Sequence, residues 1–503
     1  MEDWLFYLVA IATSVALTLL ISSLLKTPRP RKTASLPLPP GPRSLPVVGP
    51  LFALLRLRRR SNFDVERLLR GLCRRHGPIV TLQLLSSSRP AVFIADRVLA
   101  HRALVARGAE FADRPPAFGP GAVLSSNQRS INTAPYGPVW RALRRNLAAE
   151  LLHPSRLRAH SPARRWALDL LVRDLGTESS GGGAAAAAVV VMESFQFAMF
   201  CLLVLMCFGE RLPDEQIRRI ESLQRDLLSN FVSFSVLALY PKITRLLFRG
   251  RWKKLMEIRR KQEETFVPLI DARRNNLLLQ RRRRSEEDGF VYSYVDSLVD
   301  LEIPEDGGRK LTDGEIVSLC SEFLSAGTDT TATSLQWIMA NLVKQPDVQT
   351  KLYEEIERVV EKDAAVQEED LQRMPYLKAV VLEGLRRHPP GHFVLPHAGG
   401  TGRCGKSRWS FGRKGFWKAG RGKGVDITGG REIRMMPFGA GRRICPGMGL
   451  ALLHLEYFVA NLVKEFEWKP AAEGEEVDMT EKLEFTVVMK TPLRARILPR
   501  KRT

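Results

Sequence analysis

The segment 438–447 holds a cysteine in surroundings that suit a metal-bound thiolate. It reads Phe-Gly-Ala-Gly-Arg-Arg-Ile-Cys-Pro-Gly and fits Phe-x-x-Gly-x-Arg-x-Cys-x-Gly at every fixed position. A thiolate such as that of Cys445 donates electrons strongly, and as axial ligand of a haem iron it favours O–O cleavage. Phe438 can shield an iron–sulfur bond, and Arg443 can pair with an anionic haem propionate. Glycines allow a tight turn whose N–H groups face the sulfur, and three are present, Gly439, Gly441 and Gly447. A buried structural cysteine would not need these neighbours.

A second stretch places small and hydroxyl residues inside an apolar helical pattern. The region from Ile316 to Val343 has helical spacing, and it contains Ala-Gly-Thr-Asp-Thr-Thr at 326–331. Glycine and consecutive threonines are poor helix formers, so this composition needs a reason. Glycine lets a helix backbone approach a flat cofactor closely, and a threonine hydroxyl can open a groove in the helix. The alternative is an ordinary hydroxyl-rich turn.

With these two motifs the chain resembles the cytochrome P450 superfamily in its plant microsomal form. In that family the stretch that matches 326–331 activates oxygen. The resemblance gives Thr330 the role of holding dioxygen and relaying protons, with Asp329 as its acidic partner. It also places two residues of the stretch at the cofactor, Ala326 and Gly327.

The resemblance implies an activity as well. Cys445 would be the axial thiolate ligand of haem b, iron protoporphyrin IX. The enzyme would insert one atom of dioxygen into an apolar small-molecule substrate, with electrons from NADPH delivered by a membrane-bound cytochrome P450 reductase. A haem-thiolate isomerase or dehydratase is the alternative within the family. Such enzymes tend to lack the acid–threonine pair, so Asp329 and Thr330 argue against it.

Two weaker motifs occur in the family order. Trp140 and Arg144 match Trp-x-x-x-Arg, whose tryptophan and arginine contact a haem propionate in the family. Glu383 and Arg386 match Glu-x-x-Arg, a spacing that is common on any helix face. In the family this pair is buried on the proximal side of the haem. The segment 111–115, Phe-Ala-Asp-Arg-Pro, also resembles the family, so the motifs extend over almost the whole chain.

Residues 1–26 are predicted to form a transmembrane anchor. The run from Trp4 to Leu25 holds no charged residue, and as a helix it would span about 33 Å, enough to cross a hydrocarbon core of about 30 Å. A buried core helix is the alternative. Acidic residues precede the run and basic residues follow it, Glu2, Asp3, Lys26, Arg29, Arg31 and Lys32. The positive-inside rule therefore predicts a single-pass protein whose catalytic domain is cytosolic, and the resemblance to the microsomal family implies the endoplasmic reticulum membrane.

The rest of the chain is predicted to be one hinge and one domain. Residues 27–50 are basic and rich in proline, which makes them a stiff, extended spacer. Residues 51–503 form the haem-thiolate catalytic domain, mainly α with a small β portion. Helical spacing recurs at 217–228, 316–343 and 348–360, and strand patterns occur at 79–84, 91–94 and 485–489. The candidate substrate-contact segments are Phe118–Asn127, Phe231–Leu239 and Phe485–Val488, which indicate only an apolar, moderately large substrate.

The chain is strongly basic. It has 77 Lys and Arg against 54 Asp and Glu, a net charge of +23, which favours an anionic partner such as a membrane surface, an acidic protein or nucleic acid. Nucleic acid is the weakest choice because it explains neither the anchor nor the cysteine loop. Arginines around that loop suit an acidic face of the reductase, Arg431, Arg434, Arg442 and Arg443.

The segment 401–424 departs from the family. It carries eight basic residues, seven glycines and no acid, it lacks strand alternation, and it is shorter than the family's interval. A basic docking loop is one interpretation. We favour a sequence artefact, either a lost exon piece with a shifted reading frame or a degenerate gene. The alternative function is then a catalytically inactive, membrane-bound product of a damaged or wrongly assembled gene.

The missing interval has a predicted energetic cost. In the family it supplies a second arginine that completes the network around Glu383 and Arg386. Removing one partner from a buried ionic network costs about 3–5 kcal/mol, a large share of a total stability of about 5–15 kcal/mol. The loss of two strands would also expose a sheet edge. We therefore predict that the chain as written binds haem poorly or not at all.

Overall fold

The computed structural model describes residues 38–42, 65–82, 90–180, 188–238, 241–283, 292–303, 306–361, 364–398, 408–411 and 426–500. The anchor predicted at 1–26 lies outside these residues, as does most of the hinge predicted at 27–50. The described part of the hinge lies against the first strand, where the Thr81 amide donates to the Pro40 carbonyl at 3.0 Å. A Cβ at Gly41 would lie 2.0 Å from the Thr81 carbonyl oxygen, so the close approach requires glycine here.

Most of the described chain is α-helical, as predicted. The helices are α1 (Val65–His76), α2 (Arg97–His101), α3 (Pro120–Leu124), α4 (Pro138–Asn146), α5 (Pro154–Ala159), α6 (Ser161–Ser180), α7 (Val191–Phe208), α8 (Asp214–Phe234), α9 (Pro241–Leu247), α10 (Arg249–Arg283), α11 (Tyr294–Asp300), α12 (Asp313–Lys344), α13 (Pro346–Val359), α14 (Pro375–Arg387) and α15 (Met448–Glu465). The helices predicted at 217–228, 316–343 and 348–360 are confirmed as parts of α8, α12 and α13.

Helix α12 is the central helix of the fold, because α7, α10, α14 and α15 all pack against it. A capping box fixes its start: the Thr312 hydroxyl accepts from the Glu315 amide, and the Glu315 carboxylate accepts from the Thr312 amide. After Gln196, helix α7 is apolar on all faces, which is typical of a buried helix. Among the described residues it is the one helix long and apolar enough to cross a membrane, but 72% of it is buried inside the protein.

The strands form small sheets around the helices. They are β1 (Ile79–Leu82), β2 (Ala91–Ile94), β3 (Ala188–Val190), β4 (Glu302–Ile303), β5 (Arg309–Lys310), β6 (His397–Ala398), β7 (Arg408–Phe411), β8 (Phe466–Pro470), β9 (Glu481–Leu483), β10 (Val487–Met489) and β11 (Arg494–Pro499). The sheet orders are β1-β2-β7-β6, β3-β11-β8, β9-β10 and β4-β5. The predicted hairpin is confirmed, since β1 and β2 pair antiparallel with Ile79 opposite Ile94.

The segment 401–424 contains a strand that the sequence did not predict, and this strand covers the edge of β2. Residues 408–411 form β7, which pairs parallel with β2, Ala91 opposite Arg408, and antiparallel with β6, His397 opposite Trp409. The side-chain pattern of 401–424 gives no strand signal. Strand pairing, however, uses backbone groups that every residue except proline carries, and these cover the edge of β2. The remainder of 401–424 lies outside the described residues.

Candidate active site

One cavity of about 370 Å³ joins the two main motifs. From 438–447 its wall includes five predicted residues, Phe438, Gly439, Arg443, Cys445 and Gly447. From α12 and α4 it includes five more, Ala326, Gly327, Thr330, Trp140 and Arg144. The structure therefore brings most of the predicted site residues to one space. Gly441, Asp329, Glu383 and Arg386 do not line it.

The cysteine loop is held by its own backbone. The Cys445 amide donates to the Phe438 carbonyl at 2.8 Å, which closes the loop before α15 begins. Gly441 has φ of +70°, and a Cβ there would lie 1.8 Å from the Leu104 carbonyl oxygen. Only glycine fits both conditions. The loop therefore packs against residues 102–106. Cys445 is partly exposed and lines the cavity.

Two hydroxyl groups of α12 on or beside the cavity bond to their own helix. The Thr330 hydroxyl donates to the Ala326 carbonyl at 2.6 Å, and the Ser334 hydroxyl donates to the Thr330 carbonyl at 2.8 Å. Such bonds compete with the helical ladder and bend it. The close approach at Gly327 is made by α7: a Cβ would lie 2.6 Å from a methyl group of Leu203, which also lines the cavity.

Asp329 lies beside the cavity wall and points to α7 and α8. Gln196 of α7 donates from Nε2 to its Oδ1 at 3.2 Å, and Arg225 of α8 donates to Gln196 Oε1 at 2.8 Å. Burial raises the pKa of Asp329 to about 6, against the opposing effects of Arg225 and Gln196. A carboxyl group with this pKa exchanges protons close to neutral pH.

Two donors at the cavity have no partner among the described residues. Trp140 Nε1 is buried without a hydrogen-bond acceptor. Arg144, which also lines the cavity, makes no hydrogen bond or ion pair in the described part of the chain, and burial lowers its pKa. Buried polar groups are normally satisfied, so these donors fit an anionic group of a molecule bound in the cavity.

Arg443 bonds to backbone carbonyls. It donates to Ala112 at 2.7 Å, Ala134 at 2.6 Å and Ile131 at 3.3 Å, and its guanidinium carbon lies 4.4 Å from the centre of the Trp140 ring. Burial lowers its pKa to about 9, and the nearby Arg114 adds to this effect.

Comparison with known proteins identifies the family. The family model described as cytochrome P450 matches residues 39–399 and 417–498. The chain belongs to the cytochrome P450 family. It is 46% identical over 92% of its length to cytochrome P450 89A9 of Arabidopsis thaliana, covering 94% of that protein. It is 28% identical to flavonoid 3'-monooxygenase of Arabidopsis thaliana, over 99% of this chain and 97% of that one.

Solved structures show the same fold. A zebra fish cytochrome P450 with progesterone superposes with a TM-score of 0.69 at 20% identity, covering 87% of this chain and 100% of that one. A zebra fish cytochrome P450 with abiraterone gives a TM-score of 0.67 at 19% identity. The predicted fold is therefore confirmed. Relatives that are plant monooxygenases make this chain a cytochrome P450 monooxygenase.

A haem with a cysteine thiolate ligand follows from the cytochrome P450 family, and the cavity fits it. Of the described cysteines, Cys445 is the one that lines the cavity. The unpartnered donors of Trp140 and Arg144 suit the negative charge of a propionate. Apolar side chains cover much of the remaining wall, as a porphyrin requires, among them Leu203, Leu319, Phe323, Val394 and Leu450.

The Glu383–Arg386 pair of this cytochrome P450 is not buried. Arg386 donates to both carboxylate oxygens of Glu383, at 2.6 and 2.5 Å, but the Glu383 side chain is 50% exposed. The expectation of a buried pair, taken from the family, does not hold here. An ion pair in water contributes much less than a buried one, so the predicted penalty of about 3–5 kcal/mol does not apply to this geometry.

Four residues of the site were not predicted from the sequence. They are Arg114, Gln196, Arg225 and Glu322. A signal existed for two of them: Arg114 lies within the family-like segment 111–115, and Glu322 is a charged residue inside the apolar pattern of α12. The sequence held no such signal for Gln196 and Arg225, because their contacts depend on how α7 and α8 pack. Of the candidate substrate-contact segments, 485–488 reaches the cavity through Phe485 and Thr486, whereas no described residue of 118–127 or 231–239 lines it.

Proposed function

We propose that this chain inserts one atom of dioxygen into an apolar small molecule, using electrons from NADPH. The observation that supports this most directly is that Cys445 and the residues Ala326, Gly327 and Thr330 line one cavity. The first is the predicted thiolate ligand, and the others form the predicted oxygen-side stretch. Their meeting in space is the geometric condition on which the function depends.

The residues of this chain would hold haem b as follows. Cys445 would ligate the iron through its thiolate, within a loop that Gly441 and the Cys445–Phe438 backbone bond keep closed. Trp140 and Arg144 donate to a propionate, since both are free to do so in the described structure. Arg443 adds positive charge beside them. When bound, the haem supplies the activation of dioxygen.

Asp329 and Thr330 handle the proton on the oxygen side. The Thr330 hydroxyl can turn from the Ala326 carbonyl towards the cavity that it lines. Asp329 takes up and releases a proton near its pKa of about 6. Gln196 and Arg225 connect its carboxylate to the partly exposed face of α8, so they hold the carboxylate in place and favour its ionised form.

The partners follow from charge and family. Arg431, Arg434 and Arg442 are exposed beside the cysteine loop, and a positive face there suits the acidic surface of an NADPH-dependent reductase. We place the protein in the endoplasmic reticulum membrane through the anchor at 1–26, with the catalytic domain in the cytosol. The apolar wall of the cavity favours an apolar substrate.

A second candidate is a chain that does not bind haem. The family model omits residues 400–416, and the half-exposed Glu383 lacks the burial that the pair has in the family. A carbon monoxide difference spectrum of the reduced, full-length protein distinguishes the two. A Soret band of the thiolate type supports the monooxygenase, and its absence in protein expressed with ample haem supports the inactive product.

A further inference from the structure

We propose that Glu322 is a positioning residue that fixes the segment 130–134, and through it the arginines Arg114 and Arg443 at the cofactor end of the cavity. The coupling to the cofactor depends on the proposed haem function, whereas the contact itself does not. Glu322 belongs to α12, lies seven residues before Asp329 and lines the cavity. No motif of the sequence drew attention to it.

The carboxylate of Glu322 accepts hydrogen bonds from backbone N–H groups of the segment 130–134. Its Oε2 accepts from the Ile131 amide at 2.9 Å and its Oε1 from the Asn132 amide at 2.8 Å. The nearby Ser130 hydroxyl is hydrogen-bonded to the Thr133 hydroxyl at 2.9 Å, within the same segment. Both carboxylate oxygens are thus used by one short stretch of another element, and Ser130 and Ile131 are buried.

The backbone carbonyl groups of the same segment accept hydrogen bonds from two arginine side chains and one glutamine side chain. Arg443 donates to Ile131 and Ala134, Arg114 donates to Asn132 at 2.7 Å, and Gln128 donates to Thr133 at 2.8 Å. All four carbonyls from 131 to 134 therefore accept from a side chain. The segment has no helical or sheet partners for these groups, so the side chains decide where it lies.

The two sides of the segment act on each other. An anion on the N–H groups and cations on the C=O groups orient the same peptide dipoles, and each strengthens the binding of the other. Arg114 and Arg443 also line the cavity beside Trp140 and Arg144. If Glu322 is removed, the segment loses its amide anchor, and the acceptors of both arginines move with it.

The electrostatics agree with this arrangement. Burial raises the pKa of Glu322, while its two amide bonds and the charge of Arg114 oppose that effect. Burial likewise lowers the pKa of Arg114 to about 10. Each charge is costly when buried alone, and each lies where it compensates the other.

The experiment uses the full-length, membrane-expressed protein as wild type and as Glu322→Ala, Glu322→Gln and Ser325→Ala. Ser325 is the matched control, because it is buried on the same helix and its hydroxyl has no partner among the described residues. Hydrogen exchange is followed by mass spectrometry in peptides that cover 130–134, and haem transfer to excess apomyoglobin is timed.

We expect Glu322→Ala to speed exchange at 131–132 and haem loss by about tenfold each, since two buried amides lose their acceptor. Glu322→Gln keeps the size and one acceptor oxygen, so it should give a smaller effect in both and remain folded if the alanine variant does not. Ser325→Ala should change neither. If hydrogen exchange at 131–132 is unchanged in the glutamine variant, Glu322 does not hold this segment. If exchange changes but the rate of haem loss does not, the segment is not coupled to the cofactor. A wild-type protein that binds no haem would contradict the proposed function itself. The exchange data would still show whether Glu322 holds the amides of Ile131 and Asn132.

Discussion

Gln196 stands between Asp329 and Arg225, donating to the carboxylate at 3.2 Å and accepting from the guanidinium at 2.8 Å. Arg225 also pairs with Glu221 at 2.7 Å, and its side chain is 43% exposed. The buried carboxyl group is therefore linked to the protein surface through one amide and one guanidinium. Its protonation depends on residues of α7 and α8 as much as on α12.

Replacement of Gln196 by leucine should raise the pKa of Asp329 above its value of about 6, since the amide bond that favours the ionised form is lost. The pH dependence of reductase-supported turnover should then shift to higher pH. Arg218→Gln is the control, because Arg218 lies on α8, as Arg225 does, but stacks on Phe197 of α7 instead of bonding to Gln196. A shift to lower pH, or an equal shift in the control, would show that Gln196 does not act on Asp329.

Asp329→Asn should stabilise the protein while it impairs turnover. The folded pKa of about 6 exceeds the ordinary value of 3.8, so the folded state holds this proton more tightly than the unfolded state. The penalty for ionising the buried group is therefore complete above pH 6 and disappears as pH falls towards 4. We expect a gain of about 1–3 kcal/mol at pH 7.5. Urea unfolding at pH 7.5 and at pH 5 should show that the gain in free energy of unfolding is smaller at pH 5. An equal gain at both pH values would show that ionisation of Asp329 is not its cause.

Regular patterns and complete motifs could be predicted from the sequence. Apolar periodicity located α8, α12 and α13, and the spacing around Cys445 located the loop that lines the cavity. These signals are local, because each depends on neighbours within a few residues or on one helix face.

Contacts between distant segments were not predictable. Nothing in Ala188–Val190 shows that it pairs with Arg494–Arg496, and nothing in 408–411 shows that it fills the space between β2 and β6. The half-exposed state of Glu383 likewise depends on what packs over it, which the Glu-x-x-Arg spacing does not record. Backbone pairing and burial are decided by tertiary packing and carry little side-chain signature.

Trp140→Phe should weaken haem binding yet stabilise the haem-free protein. Phenylalanine removes a buried N–H without an acceptor, which should gain about 1 kcal/mol in the absence of haem, and it removes a propionate donor, which should lower haem affinity about tenfold. The ring beneath Arg443 is kept. Trp166→Phe is the matched control, since Trp166 Nε1 is also unpartnered among the described residues and Arg211 lies over its ring, away from the cavity. Equal haem affinities in the two variants would exclude Trp140 as a donor to a haem propionate.

Gly441→Ala should disrupt the cysteine loop. The methyl group would lie 1.8 Å from the Leu104 carbonyl oxygen at a φ of +70°, so we expect a loss of about 3 kcal/mol or more. Gly449→Ala is the comparison, because Gly449 lies in the first turn of α15 with no described atom within 4 Å of a Cβ. That change should be neutral or stabilise by up to about 1 kcal/mol. Both are measured by thermal unfolding, and a tolerant Gly441 position would mean that the loop lies elsewhere.

Glu383→Ala decides whether the exposed pair of this chain behaves as a surface ion pair or as the buried family network. Glu383 is 50% exposed and bonded to Arg386 on the same helix, so its loss should cost about 0.2–1 kcal/mol. A network completed by a further arginine would instead cost about 3–5 kcal/mol, because a buried guanidinium would be left alone. Urea unfolding of Glu383→Ala beside Glu432→Ala, which removes a similarly exposed carboxylate (47%) from its pair with Arg434, separates the two cases. A cost several times that of Glu432→Ala would indicate that a residue outside the described part of the chain completes the network.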